Sequence, residues 1–158
     1  MLVRNAFEGD FIDICNMSRE WSDLVIEREG IYHIFTAYFR DTCFIAEDRG
    51  KMIGFLLGFR SQVNPSQAFL HLVQVAPEMR GHGIGRRLYR QFEESAKKMG
   101  CKQIHTIARP ENKAGQAFHT GMGFKIIRTD SSIEINGIPV ARDYNGPGKH
   151  MAIFVKDI

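Results

Sequence analysis

Hydrophobic positions along the chain switch between two spacings, and the switches mark the elements. Leu2 to Ala6 reads as a short strand. From about Asp10 to Trp21, Phe11, Ile14 and Cys15 fall at i, i+3 and i+4, the spacing of a helix face. Trp21 to Gly30 is polar and reads as irregular. Ile31, Ile34, Phe35, Tyr38 and Phe39 then give a second amphipathic helix. Cys43 to Glu47 and Met52 to Phe59 are strands joined by the turn Asp48-Arg49-Gly50-Lys51, which makes a hairpin. Ser61 to Ser66, with Asn64-Pro65, is a loop. Ala68 to Val75 is the next strand. Helical spacing returns from Ile84 to Met99 with Leu88, Phe92 and Ala96 inward, and Gly100 is placed to end it as a left-handed cap. Lys102 to Ala108 is a strand. Pro110-Glu111-Asn112 opens a helix bearing Ala114, Ala117, Phe118 and Met122, stopped by Gly123. Phe124 to Ile135 reads as one strand, Asn136-Gly137 as a tight turn and Met151 to Val155 as the last strand. The order βααβββαβαββ predicts an α/β fold in one domain spanning residues 1–158.

One junction in this pattern carries chemistry. The strand ending at Val75 runs through Ala76-Pro77-Glu78-Met79 into Arg80-Gly81-His82-Gly83-Ile84-Gly85-Arg86 and then a helix. A strand feeding a glycine-rich turn and a helix N-terminus is a ready anion site, because backbone N–H groups and the helix dipole face the ligand. Spacing narrows the ligand. A dinucleotide fingerprint would read G-x-G-x-x-G, and a Walker A loop needs Gly-Lys-Ser/Thr. The chain offers neither.

Composition sets the outer bounds. A chain of 158 residues, 44% hydrophobic and 25% charged, is an ordinary globular domain. No apolar run approaches the ~18 residues that would suggest a membrane span. The N-terminus lacks a signal-peptide pattern, so a cytoplasmic protein is expected. Cys15, Cys43 and Cys101 are scattered without a C-x-x-C, which suggests reduced thiols. A net charge of +3 is too small to point to nucleic acid. The histidines at 33, 82, 105 and 150 show no metal-ligand spacing, so no metal is expected.

The motif Arg80-x-x-Gly83-x-Gly85, preceded by a strand and Pro77, resembles the acyl-CoA loop of the GCN5-related N-acetyltransferases, the GNAT superfamily. The resemblance extends from about Leu2 to Val155. It implies a mixed central sheet flanked by helices. Two parallel strands, beginning near Ala68 and Lys102, splay to admit the pantetheine arm of acetyl-CoA. It also implies a bulge in the strand before the loop, and main-chain pairing of Val73 and Val75 with pantetheine. The amide at Val75 or its neighbour would polarise the thioester carbonyl. Arg80, Gly81, His82, Gly83, Ile84, Gly85 and Arg86 would hold the pyrophosphate, mostly through backbone N–H. The segment Asn112-x-x-Gly115-x-x-Phe118-His119-x-x-x-Gly123-Phe124 resembles the helix that reaches the CoA arm from Asn112. A helix N-cap is the ordinary alternative use of that asparagine.

Two histidines are the candidate catalytic groups. Along an extended strand Phe69, His71, Val73 and Val75 share a face, and an imidazole suits proton removal near neutral pH. The arylalkylamine N-acetyltransferases are similar here, with a functional histidine matching His71, although Phe69 stands where they carry a second one. His71 is therefore the expected general base, against the plainer reading of a core histidine. His119 stands where the family carries the tyrosine credited with protonating the CoA thiolate. An imidazolium could donate that proton, or the thiolate could leave into water. The acceptor site implied by the resemblance lies in Trp21 to Tyr32 and Asn136 to Lys149. The candidates are Trp21, Asp23, Glu27, Tyr32 and Tyr144, carboxylates and aromatics that suit a cationic amine.

The function expected is acetyl transfer from acetyl-CoA to a primary amine, of a small molecule, by direct attack on the thioester. Alternatives are a protein N-terminal or lysine acetyltransferase and a non-catalytic CoA-binding or sensing protein. Neither nucleic acid nor membrane is an expected partner. Dimers are common for the fold, and the sequence leaves a homodimer open.

Overall fold

The structure is a computed structural model that describes residues 1–21 and 30–158. The chain forms two compact units, Met1–Lys102 and Gln103–Ile158.

In the first unit β1 (Leu2–Asn5), β2 (Phe44–Asp48), β3 (Lys51–Arg60) and β4 (Gln67–Val75) form an antiparallel sheet in that order. α1 (Asp10–Trp21) and α2 (His33–Tyr38) supply Ile14, Trp21 and Phe35 to a core that includes Phe55 and Leu57 of β3. Arg4 ties three elements together, bonding Asp10 at 2.8 and 2.9 Å and Glu47 at 2.6 Å. The second expected helix is shorter than its pattern. Ile34 and Tyr38 are exposed, and Phe35 alone of the helical aromatics is deeply buried.

α3 (Ile84–Lys98) buries Ile84, Leu88, Tyr89, Phe92 and Ala96, and it meets β3 at two glycines. A Cβ at Gly54 would stand 3.2 Å from Leu88. One at Gly58 would stand 2.5 Å from the Phe92 ring and 2.8 Å from the Phe69 carbonyl. Gly58 is therefore required by close packing rather than by backbone conformation.

The bulge that the resemblance implies lies at His71. Leu57 pairs with Leu72, but Gly58 pairs with Leu70, so His71 is the extra residue in β4. This overturns the expected alternation. Before the bulge Phe69 pairs with Phe59 and stacks on it at 5.5 Å. After it, Leu72 and Gln74 pair with Leu57 and Phe55, on the α1 and α2 side. Val73 and Val75 pair with Leu56 and Gly54, on the α3 side. One inserted residue inverts the parity of a strand, so His71 does not share a face with Val73 and Val75.

In the second unit β5 (Gln103–Ala108), β9 (Ala152–Asp157) and β6 (Lys125–Ile127) form an antiparallel sheet with β9 central. α4 (Lys113–Gly121) lies between β5 and β6 in sequence. The single strand expected over Phe124 to Ile135 is two, β6 and β7 (Ser132–Ile135), because Thr129 and Ser132 close a turn between them. β7 pairs with β8 (Ile138–Ala141) across Asn136-Gly137, both at positive φ (52° and 77°), as such a hairpin demands. Ala114 and Ala117 are exposed, and His119 is the buried residue of α4. Among the described residues no helix is long and apolar enough to cross a membrane.

Candidate active site

The glycine-rich turn has the geometry of an anion cradle. Pro77–Met79 makes one 3-10 turn, and Gly81 and Gly83 take left-handed φ of 81° and 78°. Gly83 is the N-cap of α3, and no side chain caps the helix. The first intrahelical bond comes only from Arg87 N–H to the Gly83 carbonyl, at 3.0 Å. An α-helix leaves its first N–H groups without internal partners. A Cβ at Gly81 or Gly83 would find nothing within 4 Å, so the approach to those groups is open. Ile84 is 2% exposed, which leaves only its main chain for a ligand.

Two side chains of the turn are committed elsewhere. Arg80 donates from Nε to the Val75 carbonyl at 3.2 Å and from Nη2 to the Trp21 carbonyl at 2.7 Å. His82 Nδ1 lies 3.0 Å from the Arg80 carbonyl and 3.3 Å from that of Met79. In β4, Ala76 N–H is spent on the Ile53 carbonyl at 2.9 Å. Alternation along the strand then turns the peptide groups of Val73 and Val75 away from β3.

His71 sits half-buried with its ring stacked on Phe35, centroids 4.6 Å apart. Its Nε2 lies 2.5 Å from the Gly30 carbonyl. A carbonyl can only accept, so Nε2 carries the proton and Nδ1 keeps the lone pair. Burial pushes its pKa down, and the bond to Gly30 opposes that only in part, so the ring is neutral at neutral pH.

The surroundings of His119 disfavour the imidazolium, the first of its two alternatives. It is 6% exposed, and its ring lies 5.5 to 5.7 Å from those of Phe118, Phe124 and Phe154. Nδ1 is buried without a hydrogen-bond partner. Burial lowers the pKa to about 4, because an apolar cage penalises the charged form. At neutral pH the ring is neutral and holds no readily donated proton.

Asn112 is the N-cap of α4, its Oδ1 accepting from Gly115 N–H at 2.9 Å. Arg109, the residue after β5, was not among the sequence candidates. Its Nε is buried with no hydrogen-bond partner, and its carbonyl accepts from Asn112 N–H. Of the acceptor candidates, Trp21 is a core residue, 7% exposed and stacked on Phe55 at 6.1 Å. Tyr32 and Tyr144 are exposed at 56% and 46%. Asp23 and Glu27 lie outside the described residues. Cys43 and Cys101 are buried, with the Cys43 thiol pushed up to about 12 by burial. Neither is a poised nucleophile.

An open, uncapped helix N-terminus behind a bulged strand defines a class, and the sequence supplies it. Residues 8–124 match the Acetyltransferase (GNAT) family, and the chain belongs to that family. The L-2,4-diaminobutyric acid acetyltransferase of Chromohalobacter salexigens is 32% identical over 115 residues, 72% of this chain and 60% of that protein. Its counterpart in Shouchella clausii is 30% identical over 86 residues, 54% of this chain and 48% of that protein. The chain thus spans 48 to 60% of the length of these curated relatives. Two solved structures share the fold. Ard1 from Thermoplasma volcanium superposes with a TM-score of 0.77 at 14% identity, covering 99% of this chain and 97% of that one. Diaminobutyrate acetyltransferase EctA from Paenibacillus lautus, solved with L-2,4-diaminobutyric acid and coenzyme A, gives 0.69 at 23% identity, covering 98% and 92%.

Proposed function

We propose that this protein is a cytoplasmic N-acetyltransferase that uses acetyl-CoA to acetylate the primary amine of a small molecule, and that residues 1–158 work as one catalytic domain. The observation that carries the reading is the uncapped N-terminus of α3, opened by left-handed Gly81 and Gly83 directly after a bulged strand. The residues fit the cofactor. Main-chain N–H groups from Gly81 to Arg86 would hold its pyrophosphate, and Asn112 is the motif's further candidate for binding it, besides capping α4. Acetyl-CoA would supply an activated acetyl thioester.

The chain's own groups do the rest. An alkyl ammonium, with a pKa of about 10, must lose a proton before it can attack. Nδ1 of His71 is the base for that step, directly or through water, since Nε2 is held by Gly30. The outward peptide N–H at Val75 would polarise the thioester carbonyl. His119 is assigned to packing and not to proton donation. Tyr32 and Tyr144 are the exposed candidates for the acceptor. L-2,4-diaminobutyric acid is the first acceptor to test, because the curated relatives are named for it.

The test has two parts. Acetyl-CoA at 100 times its Kd should raise stability by about 2.7 kcal/mol, and no thermal shift at millimolar ligand would sink the proposal. Free CoA release is then measured against a panel of small amines, N-terminal peptides and lysine peptides. Binding without release by any of them would favour a non-catalytic CoA-binding protein.

A further inference from the structure

A side chain from the β4 region holds each of two points, Trp21 at the end of α1 and Gly30 ahead of α2. Arg80 Nη2 donates to the Trp21 carbonyl at 2.7 Å while its Nε holds Val75. His71 Nε2 donates to the Gly30 carbonyl at 2.5 Å while its ring stacks on Phe35. Both acceptors are main-chain carbonyls, and both donors flank the cofactor-facing stretch Val73 to Val75. The bulge explains how this is possible. As the extra residue of β4, His71 faces α2, whereas regular alternation would have kept it with Val73 and Val75 on the α3 side.

We infer that His71 and Arg80 are positioning residues. They pin the Trp21 carbonyl at the end of α1 and the Gly30 carbonyl ahead of α2 to the β4 region, and so set where Gly30 to Tyr32 stand for acceptor recognition. This rests on the acetyltransferase reading for its kinetic consequence, and it gives Arg80 a different task from phosphate binding. The side chain holds the acceptor side, while the main chain of the same turn holds the cofactor. It also separates two uses of His71, with Nε2–H as a pin and Nδ1 as a base.

The variants separate these uses. His71→Phe keeps the stack on Phe35 and drops the donor, and His71→Gln restores an N–H near the position of Nε2. Arg80→Met drops both bonds. Loss of either pin should raise the acceptor KM about tenfold while the acetyl-CoA KM moves less than about twofold. His71→Gln should recover the acceptor KM, although its kcat stays low because the base is gone. A rise in acetyl-CoA KM with an unchanged acceptor KM, or a His71→Gln enzyme matching His71→Phe in acceptor KM, would overturn the inference.

Two readouts need no turnover. Nitrogen NMR should find His71 as the Nε2–H tautomer. Trp21, the single tryptophan of the chain, should become more accessible to acrylamide in Arg80→Met. An Nδ1–H tautomer, or quenching identical to wild type, would refute the pins. If the wild type acetylates no amine, the acetyltransferase reading falls, and these two measurements still decide the pins.

Discussion

Acid should destabilise this protein through His119 by an amount that the structure sets. The ring has an ordinary pKa of 6.5 in the unfolded chain and about 4 in its phenylalanine cage. Between those values the unfolded chain holds a proton that the folded one refuses, so stability falls as the pH falls. The contribution is complete above about pH 7. It has lost about 2 kcal/mol at pH 5 and about 3 kcal/mol near pH 4. Other groups also titrate there. Burial lowers His71 and His105, and Asp10 is held low by Arg4 and the Phe7 N–H against the opposing pull of burial. The comparison is therefore with His119→Phe, which keeps an aromatic ring in the cage and removes the unpaired Nδ1. Urea unfolding of both proteins at about pH 7 and pH 5 should show the wild type losing about 2 kcal/mol more than the variant. Equal losses, within about 0.5 kcal/mol, would refute the neutral, caged histidine. The same variant should keep kcat within about twofold, since a ring without an available proton cannot serve as the acid.

Two further substitutions probe the frame around the site. Gly58→Ala drives a Cβ to 2.5 Å from Phe92 and 2.8 Å from the Phe69 carbonyl, and should cost about 2 kcal/mol or more, a fall of roughly 4 to 8 °C in Tm. A Tm within about 1 °C of wild type would show that α3 does not pack as described. Gly83→Ala meets no atom but must hold a left-handed φ of 78°, so it should lose about 1 kcal/mol of stability. It should also weaken acetyl-CoA binding by about tenfold in calorimetry, and unchanged affinity would argue against the α3 N-terminus as the cofactor site.

The sequence was readable where one interaction decides the outcome. The i, i+3, i+4 spacing found α1 and α3 nearly to the residue, Gly100 takes the left-handed φ expected of it, and Gly123 and Gly137 stand at the helix end and the turn where they were expected. The anion turn was legible because left-handed glycines before a helix have few other uses. Where several weak signals compete, pattern misled. Phe124 to Ile135 has the composition of a strand, yet a Thr129–Ser132 hydrogen bond breaks it. His119 was a candidate acid because it stands in the motif place of a tyrosine, and the motif carried no sign that the ring is buried. The bulge left no trace in composition, since an inserted residue changes the phase of a strand and not its content.

That phase change has a practical consequence for anyone reshaping the acceptor preference by directed evolution. A library that randomises alternate codons at 69, 71, 73 and 75, as strand logic suggests, would mutate both sides of the sheet at once. It would spoil the packing of α3 while sampling only part of the wall facing α1 and α2. The coherent set on that wall is Phe69, His71, Leu72 and Gln74. With His71 held as the pin, three neighbouring positions remain free to vary.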